Sequence, residues 1–390
     1  MPKREQPSLF TPAPLPTAKL GEAEQLACLR LIRSENVGPV TFRQLINTFG
    51  GAAKALEALP ELSRRGGRRR AIRICPKDEA EGELARAKKI GAEPVFTIEP
   101  GYPGALAALD TPPPLLYIKG RQELLNRPAL AIVGSRESSA AGAKLARLFA
   151  HAIGEAGYVI VSGLARGIDG AAHEAALKSG TIAVLAGGID NVYPPEHEKL
   201  QARIASEGCL VSEQPPGFNP RAQDFPRRNR IVSGMSLGVV IVEAAARSGT
   251  LVTARFAGEQ GREVFAVPGH PLDPRAEGTN RLIKSGATLV TEPGDILDAL
   301  RPLSGLSEMA APIALSPADL KPIIAQPIPD MGDGVRAKIL AALGPAPIDL
   351  DAIVRATGLS IRAVQVGLME LELAGRLSRP GPGLIALQMD

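Results

Sequence analysis

Cysteine and histidine are scarce in this chain of 390 residues. Three cysteines lie far apart and form no C-x-x-C pair, which excludes a disulfide framework and gives no indication of a zinc site. The four histidines show no metal-ligand spacing either. We therefore expect no metal centre in this protein.

Long apolar runs are also missing. The longest, near residues 238–246, falls far short of the ~20 residues that cross a bilayer. The first 16 residues are polar and proline-rich and lack the apolar stretch of a secretory signal. The sequence therefore predicts a cytoplasmic protein that has no membrane helix.

The composition that remains is that of a folded protein. A hydrophobic content of 45% and a charged content of 22% are near the average of soluble globular proteins and exclude wholesale disorder. The length suggests two or three domains. A net charge of +4 favours an anionic partner only weakly, so the positions of the arginines matter more than their sum.

The N-terminal part reads as a leader followed by a helical domain. Residues 1–18 predict a flexible segment, because five prolines and few core-forming residues cannot order a packed unit. Residues 19–93 carry a helical pattern broken at Val37-Gly38-Pro39, as in helix-hairpin-helix or SAM-like modules. Turn amides of such a module can bind a DNA phosphate, but a helical cap that only packs on its neighbour is the alternative. The arginine run from Arg64 to Arg73 indicates a nucleic-acid contact or a solvated linker.

Residues 94–301 change to short, continuous apolar runs separated by glycine turns and alanine-rich helical segments. Continuous runs are typical of parallel strands covered by helices on both faces. The fold class predicted for this region is therefore α/β, an extended Rossmann-like, doubly wound sheet. The predicted strands are Leu130–Val133, Tyr158–Val161, Thr181–Leu185, Cys209–Ser212, Gly238–Val242, Glu263–Val267 and Ala287–Val290.

The C-terminal part predicts a linker and a small domain. Residues 302–332 are rich in Pro, Ala and Ser and break the periodicity, which indicates a linker. Residues 333–390 show three helical segments and a β-wing, the order of a winged-helix domain. Its third helix offers only Arg362 and Gln365, beside Glu370 and Glu372, so a protein contact is as well supported as duplex reading.

Glycines and hydroxyl side chains follow the predicted strands at their carboxyl ends, where open α/β sheets bind their ligands. Glycine lets the backbone approach a ligand closely, and amides gathered at a strand-to-helix turn suit an anion. Asp169, inside one such turn, is expected to cap the helix that follows. The candidate binding residues of these turns are Gly134, Ser135, Arg136, Ser139, Ser162, Gly163, Arg166, Gly167, Gly187, Gly188, Ser248, Gly249 and Thr250.

The strongest signal is the segment 224–234, in which three arginines and an asparagine directly follow Phe225 and Pro226. Arginines bind phosphates and an aromatic face supports a base, the combination that holds single strands without reading their sequence. The structural alternative is a buried pair between one arginine and Glu213 or Glu243. The candidates here are Phe225, Arg227, Arg228, Asn229 and Arg230.

Catalytic motifs are missing. The chain has no G-x-x-x-x-G-K-[ST] loop and no G-x-S-x-G elbow. We expect neither a catalytic residue nor a cofactor.

Together these segments resemble the DNA-processing protein A (DprA/Smf) family. The resemblance is dense from about Pro94 to Leu300 and rests on several stretches in one order. They are Val133–Arg136 with Ser139 and Gly142, Ser162–Asp169, Tyr193-Pro194-Pro195, Phe225–Ser236, Val242-Glu243-Ala244, Ser248–Ala254 and Val264–Gly269.

The resemblance implies a homodimeric, single-stranded DNA-binding protein with a Rossmann-like core. In natural transformation and recombination (competence), such a protein protects incoming DNA and loads the RecA recombinase. It implies further that Gly134–Arg136 and Phe225–Arg230 form the DNA pocket.

Two other functions compete with this one. A phosphoribohydrolase-like, nucleotide-processing enzyme would share the fold, but the chain lacks the Pro-Gly-Gly-x-Gly-Thr order of that loop. A structural adaptor acting through the winged helix would leave the arginine cluster unexplained.

Overall fold

The computed structural model describes residues 19–300, 332–344, 346–381 and 383–388. The predicted leader, residues 1–18, lies outside the described residues. So does the predicted linker 302–332, apart from Gly332, which begins a helix.

Four helices form the N-terminal domain. The second begins with Pro39 in its first turn, where proline costs no hydrogen bond, and ends at Gly50 in the left-handed conformation. The helices are α1 (Glu22–Arg33), α2 (Pro39–Phe49), α3 (Ala52–Arg65) and α4 (Lys77–Lys89).

Most arginines of the run from 64 to 73 are paired with carboxylates of their own domain. Arg64 and Arg65 bond Glu61 at 2.8 and 2.9 Å. Arg68 bonds Glu35 at 2.6 Å, and Arg73 reaches Glu79 at 2.8 Å. The run therefore belongs to the folded domain and is not a linker.

A nine-stranded sheet forms the centre of the molecule, in the order β1-β2-β6-β5-β4-β3-β7-β8-β9. The seven predicted strands are confirmed, and β3 to β9 pair in parallel. Two further strands, β1 and β2, were not predicted and pair antiparallel at one edge, so the sheet is mixed. The strands are β1 (Glu93–Phe96), β2 (Leu115–Gly120), β3 (Ala129–Val133), β4 (Val159–Ser162), β5 (Thr181–Leu185), β6 (Cys209–Ser212), β7 (Gly238–Ile241), β8 (Glu263–Ala266) and β9 (Thr288–Leu289).

Helices cover both faces of this sheet. Alternate residues of β3 enter different cores: Leu130 and Ile132 pack on one face, Ala131 and Val133 on the other. Burial on both faces explains why these strands read as continuous apolar runs. The helices are α5 (Gly104–Ala107), α6 (Ala140–Glu155), α7 (Ile168–Ala176), α8 (Glu198–Glu207), α9 (Asp224–Gly234), α10 (Thr250–Glu259), α11 (Glu277–Lys284) and α12 (293–300).

The C-terminal domain has the predicted winged-helix order around its own small core. Its three strands pair in the order β10-β12-β11. The elements are α13 (Gly332–Ala342), β10 (Ile348–Asp349), α14 (Leu350–Thr357), α15 (Ile361–Leu373), β11 (Leu377–Gly381) and β12 (Leu384–Leu387).

Within the described ranges no single helix is long and apolar enough to cross a membrane. In the described part of the chain, α14 and α15 reach that length and apolar composition when taken together, but they are bent by 112° at the break between them.

Candidate nucleic-acid interface

A groove opens at the carboxyl edge of the sheet, between β3 and β7. Strand order reverses there, since the chain runs from β3 to β4 and β5 on one side and places β7 and β8 on the other. Such a switch point leaves a crevice in which doubly wound folds bind their ligands. The cavity has a volume of about 480 Å³, within the usual range of small-molecule sites.

The turn after β3 forms one wall of the groove. Gly134 is needed for close packing, because a Cβ there would lie 2.5 Å from the side chain of Ile168. Arg136 is exposed, and its guanidinium carbon lies 5.3 Å from the ring centre of Phe225. This cation–π contact sets the arginine over an aromatic face while its N–H donors remain at the groove.

The turn after β4 forms the floor. Asp169 lies in the first turn of α7, whose N-cap is Gly167, so the expectation that Asp169 caps this helix was wrong. Its carboxylate instead accepts hydrogen bonds from the amides of Gly163 and Ala165, at 3.1 and 3.3 Å, and thereby closes the turn on itself. Gly167 adopts a φ of 71° and packs on the carbonyl of Ser135, which excludes a side chain at this position.

Arg228 lies beneath this floor and is 6% exposed. Its guanidinium donates to the carbonyl of Gly163 at 2.6 Å and to that of Val184. A Cβ at Gly163 would lie 2.5 Å from the guanidinium, so glycine is required there. The prediction that Arg228 grips a phosphate needs correction, because it lines the groove from below and holds two backbone carbonyls.

Burial shifts the pKa values of the ionisable side chains at and beneath the floor of the groove. It raises the pKa of Asp169, and the positive charge of Arg228 opposes the rise. Burial lowers the pKa of Arg228 to about 10, against the attraction of Asp169, so the guanidinium stays charged at neutral pH. Burial also lowers the pKa of the nearby His173 to about 3. That imidazole is neutral, and its Nδ1 lies 2.7 Å from the hydroxyl of Thr181.

The start of α10 forms the opposite wall. Thr250 donates its hydroxyl to the carbonyl of Gly134 at 3.0 Å and so ties the two walls together. The Ser248 hydroxyl accepts a hydrogen bond from the Thr250 amide at 3.2 Å. The other amides of this first turn carry the partial positive charge of a helix N-terminus, which suits an anion.

Arg247, just before this helix, is exposed and lines the groove. Neither Arg247 nor Arg136 forms an ion pair with any residue of the described ranges. The sequence interpretation missed Arg247, because a single arginine after a strand carries no pattern of its own.

Two aromatic rings stand beside the groove. Phe225 packs against Tyr193 with ring centres 4.9 Å apart and an interplanar angle of 56°. Tyr193 is 46% exposed on the loop that follows β5. The sequence interpretation treated Tyr193 mainly as a residue that stiffens its loop, yet its ring extends the aromatic surface of Phe225.

The structure brings ten of the predicted residues together around this groove. They are Gly134, Ser135, Arg136, Gly163, Phe225, Arg228, Asn229, Ser248, Gly249 and Thr250. The other eight predicted residues do not line it.

Two of the predicted hydroxyls serve the fold instead. Ser162 is fully buried and donates to the carbonyl of Ile132 at 2.6 Å, so it cannot reach a ligand. Ser139 is the N-cap of α6, where its hydroxyl accepts from the Gly142 amide at 2.9 Å and donates to Glu243. Among the residues that the structure describes, Glu243 therefore pairs with this cap and not with an arginine.

The double glycine after β5 also lies outside the groove. A Cβ at Gly187 would lie 2.8 Å from the ring of Pro220, and one at Gly188 would lie 2.6 Å from the carbonyl of Pro215. These glycines allow a loop of the chain itself to pack closely, and neither of them lines the groove. Gly167, described above, has the same structural role.

Three arginines predicted for the groove point elsewhere. Arg166 is exposed and forms an ion pair with Glu196 at 2.6 Å. Arg227 and Arg230 lie on the other face of α9 and line a second cleft, next to the N-terminal and winged-helix domains. Arg230 bonds Glu213 at 2.6 Å, with both side chains mostly buried, so the structural alternative holds for this arginine.

Comparison with known proteins agrees with this architecture. Residues 93–301 match the family described as DNA recombination-mediator protein A. Residues 22–93 match a DprA-like N-terminal HHH domain, and residues 324–381 match a DprA winged helix domain. The first of these matches covers more than half of the chain. The chain belongs to the DprA/Smf family.

Individual relatives of this family cover most of the chain. Protein Smf of Escherichia coli is 43% identical over 291 residues, which is 74% of this chain and 75% of that protein. DNA processing protein DprA of Streptococcus pneumoniae is 44% identical over 54% of this chain and 76% of its own length. The X-ray structure of the Streptococcus pneumoniae protein superposes with a TM-score of 0.55 at 36% identity, over 66% of this chain and 86% of that one. The N-terminal HHH domain, the Rossmann-like core and the winged-helix domain are thus those of a DNA-processing protein.

Proposed function

We propose that this protein binds single-stranded DNA in the groove between β3 and β7 and acts without catalysis. One observation carries the proposal: two exposed guanidiniums, Arg136 and Arg247, line one cavity together with the N-terminus of α10 and the ring of Phe225, against which Tyr193 packs. Cationic groups and amides suit the phosphates, and the rings suit the faces of unstacked bases.

This combination favours single strands over duplex. A base can stack on Phe225 or Tyr193 only if it has left its own stack, which costs energy in a duplex and little in a single strand. The contacts available are to phosphates and base faces and not to base edges, so we expect little dependence on sequence.

The role that we propose in the cell follows from membership of the family. The bound strand would be protected and then passed to RecA during natural transformation and recombination. We also propose that the protein is a homodimer. In support, β9 is a two-residue edge strand with both residues exposed, and Leu289 is 48% exposed there. An uncovered sheet edge beside an apolar side chain is a surface suited to a second copy.

Fluorescence anisotropy tests the proposal with a labelled single strand of ~30 nucleotides and the matching duplex, across a salt series without nucleotide. We expect tight single-strand binding that weakens linearly with log salt and clearly exceeds duplex binding. Equal or negligible binding to both would contradict the proposal. Loading is tested separately, by the rate at which RecA displaces a single-strand-binding protein with and without this chain.

The second candidate function is a nucleotide-processing enzyme on the related fold. Its support is the size of the cavity and the buried Asp169 in its floor. Release of base from nucleoside monophosphates would establish it. We favour the DNA-binding function because Asp169 is occupied by two backbone amides.

A further inference from the structure

Two motifs outside the core could contact DNA, namely the helical hairpin of the N-terminal domain and the third helix of the winged-helix domain. In the structure these motifs contact each other. Helix α15 packs against α2 and α3. Met369 and Leu373 of α15 are fully buried in the apolar cluster that contains the N-terminal helices.

The N-terminal domain satisfies the end of α15 with two side chains. The last carbonyls of a helix have no partner within the helix and carry partial negative charge. Asn36 donates its amide to the carbonyl of Leu373 at 3.1 Å, and Ser63 donates its hydroxyl to the same oxygen at 3.3 Å. Ser63 is 1% exposed, and Asn36 has a φ of 59°, a conformation that few residue types adopt.

The backbones of the two domains also approach each other closely. A Cβ at Gly66 would overlap the carbonyl oxygen of Glu370. The φ of Gly66 is −65°, which any residue adopts, so only the docked helix requires glycine there.

The winged-helix domain also covers the turn between α1 and α2, which contains Gly38. A Cβ at Gly38 would lie 3.7 Å from the carboxylate of Glu372. That carboxylate is paired with Arg379 at 3.0 Å. The turn at which a DNA phosphate would bind therefore has an ion pair of the winged-helix domain beside it, which leaves less room for a phosphate.

The chemistry of α15 suits a protein contact. Gln365, one of its two side chains able to read a base, is 1% exposed. Glu370 is fully buried and paired with Arg336 at 2.8 Å, so neither charge of this pair lies on the surface of α15. The buried apolar side chains of α15 and the capped carbonyl at its end are features of a helix that packs against another protein domain.

We propose that α15 is a protein-docking surface whose partner is the surface formed by α2 and α3 of the same chain. The two domains form one unit in which each covers the DNA-type motif of the other. The winged-helix domain consequently reads no duplex, and DNA binding is left to the core groove. This proposal does not depend on what the groove binds.

Three variants of the full chain test it, with small-angle X-ray scattering and duplex binding as readouts. Gly66→Ala adds one methyl group at the contact, and Met369→Asp places a charge in it from the other side. Gly21→Ala is the control, since its φ is −66° and a Cβ there has no neighbour within 4 Å. We expect the first two variants to increase the radius of gyration at an unchanged oligomeric state, and the control to leave it unchanged. Duplex affinity should stay unchanged in all three.

Two results would overturn the proposal. Unchanged scattering by both Gly66→Ala and Met369→Asp would show that the two surfaces do not dock. A gain in duplex affinity of about tenfold or more in a variant whose two domains have separated would show that docking masks a DNA-reading helix, since tenfold is the size of one good base contact.

A fourth variant keeps the test decisive if the first two fail to fold. Arg362→Glu changes a partly exposed side chain of α15 in the undisturbed chain. Unchanged duplex affinity supports the proposal. A loss of about tenfold would identify α15 as a duplex reader and refute it.

Discussion

Replacing Arg136 by alanine should weaken single-strand binding and make it less sensitive to salt. The guanidinium is exposed at the groove, lies 5.3 Å from the ring centre of Phe225 and forms no ion pair within the described residues. Its donors are therefore available to a phosphate, and no carboxylate has to be displaced first.

The expected magnitude follows from one charge-assisted contact. Hydrogen bonds to a charged group contribute about 1.5–3 kcal/mol, which raises the Kd about tenfold to a hundredfold. Loss of one phosphate contact lowers the slope of log affinity against log salt by about 0.7 for a single strand. The ratio of the Kd of Arg136→Ala to the Kd of the wild type should therefore fall about threefold between roughly 50 and 200 mM salt.

The assay is anisotropy of several labelled single strands of different sequence over that salt range. Arg203→Ala is the matched control, since this arginine is exposed on α8, away from the groove, and its side chain pairs with Glu207 at 3.1 Å. We expect the control to match the wild type and Arg136→Ala to weaken all strands alike. A slope and a Kd equal to those of the control would remove Arg136 from the interface. A lower affinity with an unchanged slope would assign it a structural role.

The remaining predictions distinguish residues that contact the DNA from buried residues that stabilise the fold. Phe225→Leu should cost about 1–3 kcal/mol of single-strand affinity at an unchanged salt slope, because a stacking contact releases no counterion; a changed slope in the same titration would contradict this. Arg228→Ala should lower the free energy of unfolding by about 1–3 kcal/mol or more in denaturant titrations, because it leaves the buried carbonyls of Gly163 and Val184 without their donor; stability equal to the wild type would return Arg228 to the binding surface. The pKa of His173 is lowered to about 3, so its contribution to stability is complete above pH 6.5 and is lost as the pH falls toward 3. Unfolding free energies should fall in that window by up to about 1.4 kcal/mol per pH unit, and by less in His173→Asn, whereas parallel curves for the two proteins would rule out this group.

Much of the fold was determined by the sequence itself. The seven parallel strands were predictable because each is buried on both faces and so reads as a continuous apolar run, a local property. The turns after these strands were predictable for the same reason, since glycine marks the places where the backbone must bend or pack closely. Of the two antiparallel edge strands that were missed, β2 is separated from its partner β6 by about ninety residues, and β1 is held in the sheet only through β2, so nothing local in their composition marks these pairings.

The tertiary structure alone decided what each arginine does. Four consecutive positions, Arg227 to Arg230, read as one basic cluster, but successive residues of a helix point about 100° apart. Arg228 therefore turns inward beneath the floor, while Arg227 and Arg230 face Glu213 and the second cleft. Arg247 reaches the groove only because β7 lies beside β3. Charge is visible in a sequence, but the direction of a side chain and the carboxylate it meets depend on elements far apart in the chain.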